Sequence, residues 1–239
     1  MEILGHSLSP KAIAFVREKK ARIRKKLVFR NIKEHPFESC RSLSGAHGSD
    51  QHKTTIWIDP SGPHLDYTVA HEITHAVLEV EGFPTTARPK EYSNDEWTAY
   101  VGSMIQSIVL DPLVDGHLLL HNIIDPSRSD LPLRKIRQLK ESYEQGQPTK
   151  YGPRFCLWVL DYVHAEIDPI LSRSGKERLK SEIEMYFPRV KSVGEDLVRT
   201  IRNMGFKKPN QALKAMIAIR DALKLRNRCL VIDRDGKLY

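Results

Sequence analysis

The sequence predicts an α+β fold in which a small sheet and one long helix precede a mostly helical C-terminal region. Two stretches rich in β-branched and aromatic residues, 27–32 and 54–59, have the composition of strands. Residues 65–81 then carry apolar side chains at helical spacing, and Gly82 and Pro84 favour a helix end there. In the second half of the chain the apolar periodicity is helical almost throughout, which predicts consecutive helices.

Length and composition are those of a folded protein with one large domain or two small ones. The chain has 239 residues, of which 40% are hydrophobic and 28% are charged. No apolar run of about 18 residues occurs and the N-terminus lacks the order of a signal peptide, so we expect no membrane association. The three cysteines, Cys40, Cys156 and Cys229, form no CxxC pair, which favours a reducing, cytoplasmic location.

The net charge of +8 is unevenly distributed along the chain. Residues 1–30 carry +7, residues 31–125 carry −9, and residues 126–239 carry +10. Basic ends beside an acidic middle indicate either solvated helix faces or surfaces for an anionic partner, such as a nucleic acid or an acidic protein. A break rich in Pro and Ser at 125–132 predicts a boundary, with domains at 1–125 and 126–239.

The other elements follow from local signals in chain order. Ser9-Pro10 predicts the start of a basic amphipathic helix that extends to about Lys26. The Ser- and Gly-rich residues 39–52 predict a loop, in which His47 and His52 would be polar surface. Further helices are predicted at 97–110, 112–121, 133–145, 154–172, 174–187, 189–204 and 209–226, and a last strand at 229–232. Asp111-Pro112 is expected to end the first of these helices.

Within the helix predicted at 65–81 lies the motif His71-Glu72-Ile73-Thr74-His75. His71 and His75 are four residues apart, so both imidazoles project from one helix face and can bind one metal ion. Glu72 lies beside them, where a general base can take a proton from water. The preceding strand offers an edge for an extended peptide, and its Trp57 belongs either to that cleft or to the core.

This arrangement resembles the gluzincin group of zinc metallopeptidases, and within it the ImmA/IrrE-like pattern. The matching features are the strand, the His-Glu-x-x-His helix, and a later segment that begins Glu96-Trp97-Thr98-Ala99 and ends Leu110-Asp111-Pro112. That segment is longer than in the pattern, and Gly102-Ser103 replaces its aromatic-Ala pair. The resemblance covers residues 54–112. It implies a zincin-like small sheet, one Zn²⁺ ion, and a cytoplasmic protease linked to the cleavage of repressors.

The resemblance also implies where a third zinc ligand lies. In gluzincins this ligand is a Glu on a later helix, and Glu96 follows His75 by 21 residues. Ser93 and Glu96 also fit a capping box, in which the Glu96 carboxylate would accept from the Ser93 amide instead. The alternative ligands are Asp95, the nearest neighbour, and then Glu91 and Asp111.

The predicted function is therefore that of a zinc-dependent endopeptidase acting on a protein substrate. His71, His75 and Glu96 would hold the ion and Glu72 would be the general base. Acceptors for the outer N–H groups of the two histidines are expected among Asp95, Asp111 and Asp115. His117 and His121 predict a polar stripe, although either of them, or Tyr100, could bond a developing oxyanion.

Two other functions compete with this prediction. One is a nucleic-acid-associated regulator, whose basic C-terminal helices bind DNA or a partner while its protease site processes a repressor. The connection at 205–210 between two predicted helices is long for a helix-turn-helix motif. The other is a metal-binding scaffold without turnover, which the intact Glu72 disfavours.

Overall fold

The computed structural model describes residues 1–36, 38, 41, 44–93, 95–125, 131–144 and 146–239, with the side chains at 132 and 133 left out. Its fold is α+β, which confirms the predicted class. The chain forms two compact units. Unit 1 comprises Met1–Phe83 and Val114–Asp125, and unit 2 comprises Pro84–Leu113 and Pro126–Tyr239. The second unit therefore includes Pro84–Leu113 as well as the residues after Asp125.

Unit 1 contains a small sheet and two helices that pack on each other. A hairpin of strands β1 and β2 opens the chain, with Leu4 and Gly5 at positive φ in its two-residue turn. Helix α1 begins after Ser9, whose hydroxyl accepts a hydrogen bond from the Ala12 amide. The helix ends at Lys20, earlier than expected, and Lys26 is already the first residue of strand β3. The elements of unit 1 are β1 Glu2–Ile3, β2 His6–Ser7, α1 Pro10–Lys20, β3 Lys26–Asn31, β4 Gly45–Ser49, β5 Lys53–Ile58 and α2 Leu65–Val80.

The main sheet has the strand order β3–β5–β4, with β3 parallel and β4 antiparallel to β5. The expectation of a loop over 39–52 is wrong at β4, which pairs with β5 from Gly45 opposite Ile58 to Ser49 opposite Thr54. Two of the five residues of β4 are glycines, so its composition indicates a loop while hydrogen bonding to β5 makes it a strand. Part of the rest of that stretch, including Cys40, lies outside the described residues.

The pairing register assigns the two faces of this sheet. Residues directly opposite each other share a face, so His47 and Ile56 lie on one side, and Ala46 and Trp57 lie on the other. Helix α2 packs on the side of His47. Trp57 therefore faces away from α2, where its ring meets His35 edge-on at 4.5 Å, and it does not line a cleft between this strand and α2.

Helix α2 is held in place by its apolar face. Val69, Ile73 and Ala76 are fully or almost fully buried, as are Ile56 and Ile58 on the sheet. Gly82 follows the helix at φ 84°, the left-handed conformation that ends many helices. The sequence prediction for this helix, including its end, is confirmed to within one residue.

Helix α3, Glu96–Leu120, is a single helix that passes through Pro112. The expected helix end at Asp111-Pro112 is therefore wrong. Proline lacks the N–H that would bond the carbonyl of residue 108, but the apolar side chains on both sides of it, among them Val109 and Val114, are fully buried. Their burial favours continuation of the helix and offsets the lost hydrogen bond.

Unit 2 is mostly helical, and a two-stranded antiparallel sheet joins its beginning to its end. Gly194 of α7 lies against the ring of Tyr162 of α5, so these two helices approach closely. Besides its part of α3, the elements are β6 Thr85–Ala87, α4 Leu131–Glu144, α5 Pro153–Ile167, α6 Arg173–Tyr186, α7 Pro188–Met204, α8 Pro209–Ala222 and β7 Leu230–Ile232. Throughout the described parts of the chain, every helix is too short or too polar to cross a bilayer.

Candidate metal centre

The histidine pair of α2 has the geometry of two ligands to one ion. The Nε2 atoms of His71 and His75 lie 3.1 Å apart, and their rings meet at 66°. Two nitrogens bound at about 2.0–2.1 Å to a tetrahedral zinc ion would be about 3.3–3.4 Å apart. Helical spacing brings two such rings to one face, and here their Nε2 atoms also converge. His75 is 7% exposed, so the pair lies in a largely water-excluded place.

The outer nitrogen of His71 faces a buried carboxylate. Asp115 Oδ1 lies 3.6 Å from His71 Nδ1, and the hydroxyl of Tyr67 donates to the same oxygen at 2.8 Å. Asp115 is completely buried. A carboxylate in this place orients the imidazole so that its other nitrogen points toward an ion. Asp115 was one of three acceptors that the sequence suggested, and Tyr67 was not foreseen.

Glu72 is buried beside the two histidines and is bonded by a third. His47 Nδ1 lies 3.3 Å from Glu72 Oε2, and the His47 ring stacks on that of His75 at 5.3 Å with an angle of 9°. Burial acts to raise the pKa of Glu72, but the hydrogen bond from His47 and the charges of His71 and His75 act in the opposite sense. The pKa of Glu72 is lowered as a net result, so the group is a carboxylate at neutral pH and can accept a proton.

Strand β4 presents alternate residues to α2. Gly45 lies so close to the helix that a Cβ there would be 2.7 Å from Thr68 Cγ2 and 2.9 Å from Glu72 Cγ. Ser49, four residues along the same face, donates its hydroxyl to Glu79 Oε2 at 3.0 Å. His47 lies between them and is the site residue that the sequence prediction missed. An alternating Gly-x-His-x-Ser pattern next to a strand was the available signal, and the Gly content concealed it.

Glu96 and Asp95 lie at the start of α3, in unit 2. The Asp95 carboxylate caps the helix, since it accepts from the amides of Trp97 and Thr98 and from the Thr98 hydroxyl. Asp95 also pairs with Arg228 at 2.8 Å, so its carboxylate is already engaged. Glu96 is exposed in the first turn. The capping box that would have tied Glu96 to Ser93 is replaced by this Asp95 cap.

Asp111 belongs to the same helix as Asp115 and precedes it by one turn. The two carboxylates therefore lie on one face of α3, and both are buried. Asp111 Oδ2 lies 3.8 Å from His164 Nε2 within unit 2.

The three residues suggested as partners of an oxyanion have other surroundings. His121 packs edge-on against Phe15, and burial lowers the pKa of His117. Tyr100 is 45% exposed.

His71 and His75 could hold a metal ion through their converging Nε2 atoms. The buried carboxylate of Asp115 faces the outer nitrogen of His71, and the carboxylate of Glu72 lies on the adjacent position of α2. The chain was compared with protein-family models, with curated proteins and with solved structures, and no match was found in any of the three comparisons.

Proposed function

We propose that the protein is a zinc-dependent endopeptidase with a zincin-like catalytic unit. The observation that carries the proposal is the pair of Nε2 atoms 3.1 Å apart, with the Glu72 carboxylate buried next to them. A structural pair of core histidines would not need an ionised, buried glutamate on the adjacent position. Zinc bound there would polarise both a water and the scissile carbonyl of a peptide.

The residues of the chain supply the proton transfers. Glu72 accepts the proton of the attacking water and later gives it to the leaving amine. The negative charge of Asp115, 3.6 Å from Nδ1 of His71, favours the tautomer that carries a proton on Nδ1, which leaves Nε2 to ligate. The burial of Glu72 excludes competing water from this carboxylate, so proton transfer occurs in a medium of low dielectric constant.

We propose Asp111, ahead of Glu96, as the candidate for the third ligand. Glu96 lies about five helical turns before Asp115 on α3, and Asp115 is the residue that faces the outer nitrogen of His71. Asp111 is one helical turn from Asp115 and on the same face. The assignment of Glu96, which follows the gluzincin resemblance, stays a prediction that the same experiment tests.

The substrate is proposed to be an extended peptide. Strand β4 is an edge strand of the main sheet, its residues are half-buried, and three of them, Gly45, Ala46 and Gly48, are small. An edge strand can bind a peptide by main-chain hydrogen bonds, which accept many side chains. A chain bound along β4 would pass next to Glu72, since β4 contacts this residue at Gly45 and His47.

Zinc content of purified variants tests the proposal. We expect about one zinc per chain in the wild type by elemental analysis, and loss of the ion in His75→Ala and Asp111→Ala, but not in Glu96→Ala. His52→Ala, in the exposed turn before β5, is the control and should keep the ion. A wild type without metal after reconstitution with zinc would contradict the proposed function. Loss of zinc in Glu96→Ala alone would return the third ligand to Glu96.

A further inference from the structure

Strand β4 carries a histidine whose position is not explained by metal binding or by the sheet. Its Nδ1 lies 3.3 Å from Glu72 Oε2, its Nε2 lies 3.9 Å from Glu79 Oε2, and its side chain is only 12% exposed. We infer that His47 is a positioning residue for Glu72, one that holds the carboxylate in the orientation needed for proton transfer. The inference rests on the proposed function and extends it by naming a further residue of the same site.

The hydrogen bond has one possible direction. An ionised carboxylate only accepts, so His47 donates from Nδ1 to Glu72. A glutamate side chain has three rotatable bonds, and a donor on one oxygen removes much of that freedom. The other oxygen stays available for the proton of water.

His47 is itself held by a contact on one ring face and by a carboxylate near its outer nitrogen. Its ring stacks parallel on that of His75 at 5.3 Å. Glu79, two turns after Glu72 on α2, lies beyond Nε2 and is bonded by the Ser49 hydroxyl, which also contacts Thr54 at 3.0 Å. This chain of contacts runs from the strand through His47 to Glu72, so β4 determines where the base lies.

Gly45, two residues before His47, also determines how β4 lies against Glu72. With no Cβ at Gly45, the strand approaches α2 until its backbone contacts Thr68 and Glu72. Positions 45, 47 and 49 share one face of the strand, and all three lie against α2. Glu72 is thus in contact with one strand at two successive positions. A histidine that served only to fill space would not require a donor aimed at the carboxylate.

The test compares variants that differ in the donor at the Nδ1 position. In His47→Asn the side-chain amide NH₂ falls near Nδ1, while in His47→Leu a side chain of similar reach has no donor. We expect kcat to fall about 10- to 100-fold in His47→Leu, with KM and zinc content nearly unchanged, and we expect His47→Asn to recover a large part of the loss. The substrate is a quenched fluorescent peptide selected from a library by cleavage with the wild type.

A second measurement does not depend on activity. The ¹⁵N shifts of the imidazole in the metal-free protein should show His47 protonated at Nδ1, and that signal should move in Glu72→Gln but not in the control His52→Ala. Equal kcat in the wild type and in zinc-loaded His47→Leu would overturn the inference, as would equal rates in the Asn and Leu variants. A wild type that holds no zinc would overturn the proposed function instead, so the two failures are distinguishable.

Discussion

At the scale of single residues, the site depends on a carboxylate held by its neighbours. Glu72 is buried, and yet its pKa is lowered, because donors and positive charges around it outweigh the effect of burial. The same residue is touched by Gly45 and His47 of β4. The His-Glu-x-x-His motif supplies the two imidazoles and the Glu72 carboxylate, whereas the neighbouring residues of β4 determine how that carboxylate is oriented.

Replacement of Gly45 by Ala tests this dependence on one strand. The added Cβ would be 2.7 Å from Thr68 Cγ2 and 2.9 Å from Glu72 Cγ, so either β4 or Glu72 must move. We expect a rate of peptide hydrolysis lower by about 100-fold and a loss of about 1–3 kcal/mol in the free energy of unfolding.

Gly48→Ala is the matched control on the same strand. Its Cβ would face Trp57 at 3.3 Å, on the side away from α2, so it should lower stability and at most raise KM through the peptide-binding edge, without lowering kcat. Steady-state kinetics and chemical denaturation separate the two effects. A Gly45→Ala enzyme with the wild-type rate would show that β4 does not position Glu72.

At the scale of elements, α3 and β4 are two places where local sequence signals predict the wrong structure. Pro112 favours a helix end, but buried apolar side chains on both sides keep α3 continuous. Gly45 and Gly48 favour a loop, but pairing with β5 makes a strand. In both cases contacts between elements, which no local pattern contains, decide the outcome.

The Asp95 cap of α3 predicts a pH-dependent stability. The Thr98 hydroxyl is the main cause of the lowered pKa of Asp95, and backbone amides and Arg228 add to it. Because the pKa is lower in the folded protein than its unfolded value of about 3.9, this stabilisation is present at neutral pH and is lost as pH falls through the folded pKa.

We therefore expect Asp95→Ala to lower the free energy of unfolding by about 1 kcal/mol at pH 7, and by progressively less as the pH falls below about 3.9. Asp95→Asn keeps an acceptor for the helix amides and is the control, with a smaller loss at pH 7. Urea denaturation across this pH range measures the difference. A destabilisation that does not change with pH would refute the cap as its cause.

The contact of α5 with α7 gives a stability prediction independent of the metal centre. A Cβ at Gly194 would lie 2.4 Å from Cδ1 of Tyr162, whose side chain is 2% exposed and cannot swing away. Gly194→Ala should therefore lower the free energy of unfolding by about 1–3 kcal/mol.

Gly116→Ala in α3 is the matched helical control. Nothing lies within 4 Å of a Cβ there, so alanine should raise stability by up to about 1 kcal/mol through helix propensity. Thermal unfolding of both variants measures the contrast. Equal melting temperatures for the two would contradict the close approach of α5 and α7.

At the scale of the whole molecule, the basic charge of residues 126–239 raises the question of DNA binding. Helices α7 and α8 are joined by residues 205–208, with Gly205 at φ 71°. However, the exposed residues of α8 are only Asn210, Lys214 and Ala222. A helix with one exposed basic side chain is a poor reader of a DNA groove.

Binding of nucleic acid through the overall basic charge stays a prediction. Electrostatic binding without base contacts would be strong at low salt and would fall steeply as salt increases. Fluorescence anisotropy with a labelled duplex at about 50 mM salt tests it. The absence of a shift there would remove the nucleic-acid alternative.

Much of the candidate site could be predicted from the sequence, because the spacing of residues along a helix determines the face from which each side chain projects. The i and i+4 spacing of His71 and His75 placed both rings on one face, and Glu72 beside them. The partners of these residues could not be predicted, since His47 comes from a strand that resembles a loop, and Tyr67 and Asp115 meet only after folding. The third ligand was assigned from a family resemblance, and spacing along a continuous α3 gives a different candidate.

The most direct test of the central claim is the behaviour of Glu72→Gln. We measure its zinc content by elemental analysis and its rate of cleavage of library peptides that the wild type hydrolyses. The claim predicts about one zinc per chain, as in the wild type, and a rate lower by at least about 10²- to 10⁴-fold, because the proton acceptor is gone while both histidines remain. Cleavage at the wild-type rate by zinc-loaded Glu72→Gln would contradict it.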